Sequence, residues 1–295
     1  MNRKVKPYII FGFLFPGFLL YGYFFFIPMV KSFYYSLHKW NGFSSKMKFI
    51  GLKNFKDLMT DNSFIISLQN TMAFMFVGGL LVFGLSLLFT YLMTKKGFLG
   101  RKVYSRLFYF PNMVSQAALA VLWIFFFNPT FGLLNGLIKN FGIEPIDWLG
   151  SRMSGMGCII FATSFAFVGF YLTLLLSGHD RIPDSYIEAA KIDGAGDITC
   201  FLKITLPLLR DVLIIAVTLW IINIIKYFEL IYAMFKGSAT TMNTLGTYMY
   251  SMSFGLNVPI FELGYGSAIA VIMFMLVVVI TGFFRKAFDR ESVQY

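Results

Sequence analysis

The sequence predicts an all-α integral membrane protein with six transmembrane helices and both termini in the cytoplasm. The first observation is composition: the 295 residues are 58% hydrophobic and only 13% charged, with a mean hydropathy of +0.71. Soluble domains are nearer half apolar and a quarter charged. The second observation is that the apolar residues form long stretches. The third is that basic residues are concentrated on one side of those stretches.

Six apolar stretches of 21 to 24 residues are each long enough to cross a membrane, because a hydrocarbon core of about 30 Å needs about 20 residues at 1.5 Å per residue. Five of them contain no Asp, Glu, Lys or Arg, and the fifth in chain order contains Lys226 and Glu229. The predicted spans are Tyr8–Val30, Met72–Met93, Leu107–Phe127, Met156–Ser177, Val212–Phe235 and Leu263–Phe284.

The distribution of basic residues predicts the orientation. With a cytoplasmic N-terminus, 15 of the 25 Lys and Arg residues lie in inner segments and nine in outer segments. This bias follows the positive-inside rule. The net charge of +11 therefore reflects membrane orientation and does not indicate a nucleic-acid-binding surface.

The first apolar stretch is predicted to be a retained helix. It follows Arg3, Lys4 and Lys6, as a signal peptide would, but its apolar region is too long and no A-x-A-like cleavage site follows it. Cys158 falls within a predicted span and Cys200 in a cytoplasmic segment, so the two cysteines indicate no disulfide framework.

Residues 1–295 are expected to form a single transmembrane domain, since no loop is large enough to fold alone. The longest outer segment, Lys31–Thr71, contains an aromatic and basic stretch and a short amphipathic helix predicted around Asn54–Met59. Trp40 in this stretch is typical of the aromatic belt at the membrane interface. Stacking of Trp40 on a sugar is the alternative.

The longest inner segment, residues 179–210, predicts two short helices joined by a turn. Asp or Ser in Pro183-Asp184-Ser185 can cap the first free backbone N–H groups of a helix. Glu188 lies in the first turn, where negative charge suits the positive helix end. Gly194 and Gly196 are expected to break this helix, and Asp197 to cap a second one.

The second helix has one apolar face and is expected to end or bend at Pro207. Residues at helical spacing form the face: Ile198, Phe201, Leu202 and Thr205. The segment holds five acidic and four basic residues, whereas a helix on a lipid surface would be mostly basic. Balanced charge around a small apolar patch favours a protein-docking surface. A solvated connector is the alternative.

One motif in this segment carries a family resemblance. The chain reads Glu188-Ala189-Ala190, then Asp193-Gly194, then Ile204-Thr205-Leu206-Pro207. This spacing resembles the coupling loop of permease subunits in type I binding-protein-dependent ABC importers of the carbohydrate-uptake, maltose-importer-like kind. Nearly the whole chain shares the resemblance. Similar segments are Ile50–Phe55, Asn70-Thr71, Asp193–Gly196 and Gly264–Ala270. Such permeases often have T-x-G-G-P after the fifth span, where this chain departs with Phe235–Ala239.

The resemblance implies a function and partners. The chain would be one permease subunit of an importer for a sugar or oligosaccharide in the bacterial cytoplasmic membrane. Its partners would be a second homologous permease, two ATPase subunits that use ATP and Mg, and an extracytoplasmic solute-binding protein. Glu188 would contact a basic residue of an ATPase, and Gly194 would let the short helices turn. The coupling residues would be Glu188, Ala189, Ala190, Asp193, Gly194, Ile204, Leu206 and Pro207.

The only charges inside the predicted spans, Lys226 and Glu229, indicate a polar patch. Each costs roughly 2.5–3.5 kcal/mol at a helix centre, so both should face protein or water. Two interpretations are open: the two residues line a solute path, or they form an ion pair that locks the fifth helix. Lys226 also raises the hypothesis of an anionic sugar, which pairing with Glu229 would weaken. The polar residues of the spans and the family resemblance together predict the residues of the solute path: Phe170, Tyr171, Asn223, Lys226, Tyr227 and Glu229.

Several chemistries have no motif in the sequence. No G-x-x-x-x-G-K-[ST] is present, so no ATPase site, no bound cofactor and no catalytic residue are expected in this chain. His38 and His179 fall in segments predicted on opposite sides of the membrane, and no metal site is expected. The alternatives are a permease for another solute, such as a glycerol-phosphate-like compound, and an ion-driven secondary carrier, which would need more carboxylates in its spans. A membrane-embedded enzyme lacks a catalytic cluster.

Overall fold

The computed structural model describes residues 7–235, 240–255 and 261–288, and its contacts divide the chain into two compact units. The first unit comprises Met1–Asp61 and Met249–Phe274; the second comprises Asn62–Tyr248 and Met275–Tyr295. The single domain expected over residues 1–295 stays a prediction. The sequence departs from the T-x-G-G-P pattern at Phe235–Ala239. Residues 236–239 of this stretch lie outside the described part of the chain.

Helices make up nearly all the regular structure. Before the inner segment they are α1 (Pro7–Tyr21), α2 (Ile27–Ser36), α3 (Lys53–Thr60), α4 (Asn62–Ala73), α5 (Gly79–Thr94), α6 (Arg101–Met113), α7 (Gln116–Phe126), α8 (Leu133–Lys139) and α9 (Arg152–His179). After it begins they are α10 (Asp184–Ile192), α11 (Asp197–Cys200), α12 (Leu206–Leu208), α13 (Arg210–Ile225), α14 (Glu229–Phe235), α15 (Leu245–Phe254) and α16 (Leu263–Phe288). The π-helical turns Gly22–Phe26, Phe74–Gly78 and Phe201–Thr205 and the 3₁₀ turn Thr240–Met242 lie between them. Strands β1 (His38–Lys39) and β2 (Lys48–Phe49) pair antiparallel.

The membrane-spanning class is confirmed. Five helices of the described residues are long and apolar enough to cross a membrane, or six spans if one bent pair is counted as a span. The five are Phe11–Ser36, Asn62–Thr94, Arg152–His179, Arg210–Phe235 and Leu263–Phe288. The second begins ten residues before the predicted Met72, because polar residues that the sequence assigns to an outer segment are helical here.

The third predicted span, Leu107–Phe127, is not a continuous helix. Helices α6 and α7 meet at Val114 and Ser115 with a bend of 95°. Val114 is extended, and the Ser115 hydroxyl accepts a hydrogen bond from the Ala118 N–H at 3.3 Å, which caps a new helix. Pro111 in the last turn of α6 leaves one carbonyl without its helical donor. Continuous hydropathy in the sequence hides this break.

The fifth span is interrupted where its charges lie. Helix α13 ends at Ile225, and α14 begins at Glu229. The backbone of the break is held from the next segment, because the Thr244 hydroxyl donates to the Tyr227 carbonyl at 3.1 Å. A Cβ on Gly246 would lie 3.0 Å or closer to the Lys226 and Tyr227 carbonyl oxygens. Only glycine therefore allows this close approach.

Helix α9 is the most buried span of the second unit. In its most apolar 18-residue window 67% of residues are buried. A Cβ on Gly169 would lie 1.9 Å from the Phe108 carbonyl oxygen, so α6 and α9 touch backbone to backbone at this point. Small residues allow such contact between membrane helices. The Trp220 indole lies against Gly79 and donates to the Met75 carbonyl at 2.9 Å, which joins the fifth span to the second.

In the first unit, hydrogen bonds from one buried asparagine of α3 hold α3 against the end of α2 and the start of β1. Asn54 is buried and donates to the carbonyls of Ser36 at 2.8 Å and His38 at 3.1 Å. The predicted amphipathic helix around Asn54–Met59 is present as α3. Gly264 at the start of α16 donates to the Trp40 carbonyl at 3.0 Å, and a Cβ there would lie 2.1 Å from the His38 carbonyl oxygen. This contact sets the hairpin beside α16.

Candidate functional site

The inner segment 179–210 forms the predicted pair of short helices with a turn at Gly194. Gly194 has φ +84°, a conformation that favours glycine. The Ala195 N–H donates to the Ala190 carbonyl at 2.9 Å, and the Gly194 N–H donates to the Lys191 carbonyl at 3.1 Å. These two bonds are the Schellman pattern that ends a helix at a left-handed glycine. Gly196, by contrast, has an ordinary extended backbone.

Both predicted side-chain caps are wrong. Helix α10 begins at Asp184 without a side-chain cap, since Pro183 occupies the N-cap position. Helix α11 has Gly196 at its N-cap, and Asp197 is its first residue. The acidic groups still lie at the positive helix ends, where their charge is favourable.

Asp197 forms an ion pair instead of a cap. Its Oδ1 lies 3.0 Å from Lys191 Nζ, so the pair bridges α10 and α11. The hydrogen bond and charge of Lys191 lower the pKa of Asp197, and the same contact raises the pKa of Lys191. Since neither side chain is buried, the pair holds the angle between the helices more than it contributes stability.

The predicted apolar face of the second helix divides into a buried and an exposed part. Phe201 and Thr205 are 9% and 2% exposed, whereas Ile198 and Leu202 are 62% and 53% exposed. The π-helical turn Phe201–Thr205 accounts for the division, because an extra residue per turn rotates the following side chains. Phe201 packs on Tyr91 with ring centroids 5.2 Å apart, which anchors the segment on the second span.

Four large apolar side chains of the segment are exposed, and charged residues stand between them in the sequence. We call this set of residues the elbow patch; its members are Tyr186, Ile192, Ile198 and Leu202. Glu188, Ala189, Asp193, Gly194 and Pro207 are also exposed, and Ala190, Ile204 and Leu206 are half-buried. The eight residues predicted for coupling are therefore accessible in whole or in part. Their role in coupling stays a prediction.

An ion pair fixes the start of the segment. The Arg101 guanidinium lies 2.7 Å from Asp180 Oδ1 and donates to the Leu176 carbonyl at 3.3 Å, at the C-terminal end of α9. Arg101 is the first residue of α6. The ion pair therefore joins the start of the segment to the bent third span.

The predicted solute-path residues differ widely in their surroundings. Tyr171 is fully buried beside Phe83 and Trp220, with ring centroids 5.0 Å and 5.9 Å away. Phe170 and Asn223 are half-buried, and Asn223 lies beside the Tyr171 hydroxyl. Full burial makes Tyr171 a packing residue here. Its role in a solute path stays a prediction.

Lys226 and Glu229 are both exposed, and they form no ion pair with each other in the described chain. The break between α13 and α14 removes the helical i, i+3 geometry that pairing assumed. The interpretation of a locking ion pair is therefore wrong. Lys226 keeps an uncompensated charge beside buried Tyr227, which is compatible with a water-filled path.

One residue that the sequence reasoning missed lies opposite this break. Gln116, the first residue of α7, accepts a hydrogen bond of 2.5 Å from the Tyr227 hydroxyl. The bend of the third span and the break of the fifth are thus joined by side chains. Discontinuous helices at the centre of a membrane domain are a frequent place for solute sites. A polar Ser115-Gln116 pair inside an apolar stretch was the available signal.

These features define a polytopic helical membrane protein with a helix-pair elbow between two spans and two facing helix breaks. A family model described as "Binding-protein-dependent transport system inner membrane component" matches residues 86–293. The chain belongs to this family and is an inner-membrane component of a binding-protein-dependent transport system.

Two relatives extend the similarity over most of the chain. The trehalose/maltose transport system permease protein MalF of Thermococcus litoralis is 33% identical over 88% of this chain and 86% of its own length. The probable ABC transporter permease protein YurN of Bacillus subtilis is 30% identical over 93% of each chain. A crystal structure of a bacterial alginate ABC transporter, in complex with alginate pentasaccharide-bound periplasmic protein, has the same fold. Its matching chain gives a TM-score of 0.81 at 19% identity and covers 97% of this chain and 96% of its own.

Proposed function

We propose that this chain is one permease subunit of an ATP-driven importer for a sugar or oligosaccharide. The observation that carries the proposal is the helix pair at residues 184–208, where the motif spacing of the sequence coincides with four exposed large apolar side chains. An exposed apolar patch rimmed by charge is suited to docking another protein. Family membership makes an ATPase subunit the expected partner.

Mechanical coupling follows from the contacts of the elbow. An ATPase that closes on ATP and Mg would push the elbow patch. Phe201 transmits the push to the second span through Tyr91, and Asp180 transmits it to the third span through Arg101. The chain itself would hold no nucleotide and no cofactor. Its orientation would be that of the positive-inside rule, with the elbow and both termini in the cytoplasm.

The solute would pass where the two broken spans meet. Gln116, Tyr227, Lys226 and Asn223 provide donors and acceptors there. Hydrogen-bonding groups at a helix break suit the hydroxyls of a sugar. The relative from Thermococcus litoralis is named as a trehalose and maltose permease, which supports a carbohydrate. A second permease would complete the path, and a solute-binding protein would deliver the sugar from outside.

Co-purification tests the docking role. The chain is expressed with its partner ATPase and second permease, and the amount of ATPase retained on the tagged chain is measured. Ile198→Asp together with Leu202→Asp should abolish retention, because it puts two charges into the docking surface. Leu133→Asp together with Leu137→Asp, two exposed apolar residues with the same spacing on α8 in a segment predicted to be outer, is the matched control. Equal retention by wild type and the elbow variant would contradict the proposal.

A further inference from the structure

The first unit contains a polar cavity of about 640 Å³ beside the β-hairpin formed by β1 and β2. Its walls are the hairpin, the start of α3 and the start of α16; we call it the hairpin pocket. Its charged lining residues are Lys39, Lys46, Lys48, Lys53, Asp57 and Glu262. We propose that the hairpin pocket is a binding site for an oligosaccharide that carries carboxylate groups.

The hairpin brings like charges together. Lys39 pairs directly with Lys48 in the antiparallel register. Like charges opposite each other on one sheet destabilise the pairing. Lys46 lines the same pocket, and Lys53 reaches it from the first turn of α3. The hairpin therefore carries a repulsion that a bound anion would remove.

The lysines are not compensated by ion pairs within the described part of the chain. None of the four forms an ion pair with a described residue. Among the described lining residues, two carboxylates, Asp57 and Glu262, accompany them. The surplus of positive charge selects an anion. The two carboxylates can in turn accept hydrogen bonds from hydroxyl groups.

A fixed aromatic ring indicates the sugar part of the ligand. Trp40 lines the pocket, is half-buried, and packs on Tyr35 with ring centroids 4.4 Å apart. Its indole N–H donates to the Ser44 carbonyl at 2.7 Å, which fixes the ring plane. A held Trp gives a flat apolar surface beside polar groups at little entropic cost. The face of a sugar ring matches such a surface, and an inorganic anion does not use it.

The position of the pocket extends the proposed function, and the inference of a sugar site rests on that function. In the proposed orientation the hairpin lies outside the cell, in the segment predicted to face the solute-binding protein. The pocket volume lies within the range of about 300–1,000 Å³ that is usual for small-molecule sites. A carboxylated sugar would bind there on the side from which solute enters the permease. This site would favour acidic sugars before they reach the helix breaks.

A binding experiment on the full chain tests this directly. The chain is reconstituted alone in nanodiscs of zwitterionic lipid, and two probes are titrated by calorimetry: a trisaccharide of galacturonic acid and the matching trisaccharide of galactose. The acidic probe should bind at least about tenfold more tightly, a difference of about 1.4 kcal/mol. Lys39→Gln with Lys48→Gln should remove this preference. Lys56→Gln, an exposed lysine of α3 outside the pocket, should leave it unchanged.

Three results would overturn the assignment. They are equal binding of the two probes, an unchanged preference in the double variant, and an equal loss in Lys56→Gln. Anionic phosphatidylglycerol in the nanodisc, at an ionic strength high enough to screen the charge of the bilayer surface, is the second arm: if it abolishes binding of the acidic probe, the pocket holds a lipid headgroup instead of a sugar. Unchanged binding supports the sugar. Because no ATPase is present, failure of the proposed transport role would leave these results intact.

Discussion

Lys191 and Asp197 form an ion pair across the turn at Gly194, with 3.0 Å between Nζ and Oδ1. The pair joins the last turn of α10 to the first residue of α11. The side chains are 41% and 53% exposed, so water screens the interaction. The ion pair mainly restrains the angle between α10 and α11, because the glycine turn alone would allow the two helices to rotate relative to each other.

The first prediction concerns the pH range of this pair. The pKa of Asp197 is lowered from 3.8 by Lys191, so its stabilising effect is present above the unfolded value and is lost as pH falls through the lowered pKa. The pKa of Lys191 is raised from 10.5, so its effect is present below that value and is lost as pH rises through the raised pKa. The pair should therefore be intact at pH 7.

A double-mutant cycle on thermal unfolding measures the pair. Lys191→Ala and Asp197→Ala should each lower the Tm at pH 7 by no more than about 2 °C, and the double variant should lose little more. The non-additivity should vanish below the lowered pKa of Asp197. Full additivity at pH 7 would mean that the two side chains do not interact in the folded protein.

The second prediction concerns Gly194. An alanine at φ +84° is strained by about 1 kcal/mol, which should open the turn roughly fivefold more often. Hydrogen exchange of the Ala195 amide, which is bonded to the Ala190 carbonyl, should be faster by about that factor. Gly196→Ala is the control, since Gly196 has φ −71° and open space around its Cα. Equal exchange in the two variants would contradict the turn geometry.

The elbow and the spans were accessible to sequence reasoning for different reasons. Long apolar stretches without charge predict spans directly, and the spacing from Glu188 to Pro207 predicts the helix pair. The bend at Val114 was missed, because hydropathy averages over the polar Ser115-Gln116 pair that marks it in the sequence. The predictions of side-chain caps at Asp184 and Asp197 were wrong, because Pro183 and Gly196 occupy the N-cap positions and each aspartate is the first residue of its helix. The hairpin pocket depends on a strand register, which local sequence does not fix.

The third prediction concerns Gly169, where α9 touches the backbone of α6. A Cβ there would lie 1.9 Å from the Phe108 carbonyl oxygen, and neither backbone can yield without shifting a helix. Gly169→Ala should therefore lower the free energy of unfolding by about 1–3 kcal/mol. Gly157→Ala on the same helix, with nothing within 4 Å of the added Cβ, should be neutral or slightly stabilising. Thermal unfolding of both variants in one detergent makes the comparison.

The fourth prediction concerns the hydrogen bond from the Tyr227 hydroxyl to Gln116 Oε1, at 2.5 Å. Hydrogen bonds between membrane helices contribute on average about 0.6 kcal/mol, with a maximum near 1.7 kcal/mol. Tyr227→Phe and Gln116→Leu should each cost stability in this range, and the double variant should cost no more than the larger single loss.

In the assembled importer, both variants should raise the sugar concentration for half-maximal uptake more than they lower the maximal rate, because they disturb the helix breaks that line the proposed path. Thr218→Val removes a hydroxyl that bonds only to its own helix, at the Ile214 carbonyl, and serves as the control. If uptake by the Tyr227 and Gln116 variants matched this control while their stability fell, the bond would be a packing feature and the solute would pass elsewhere.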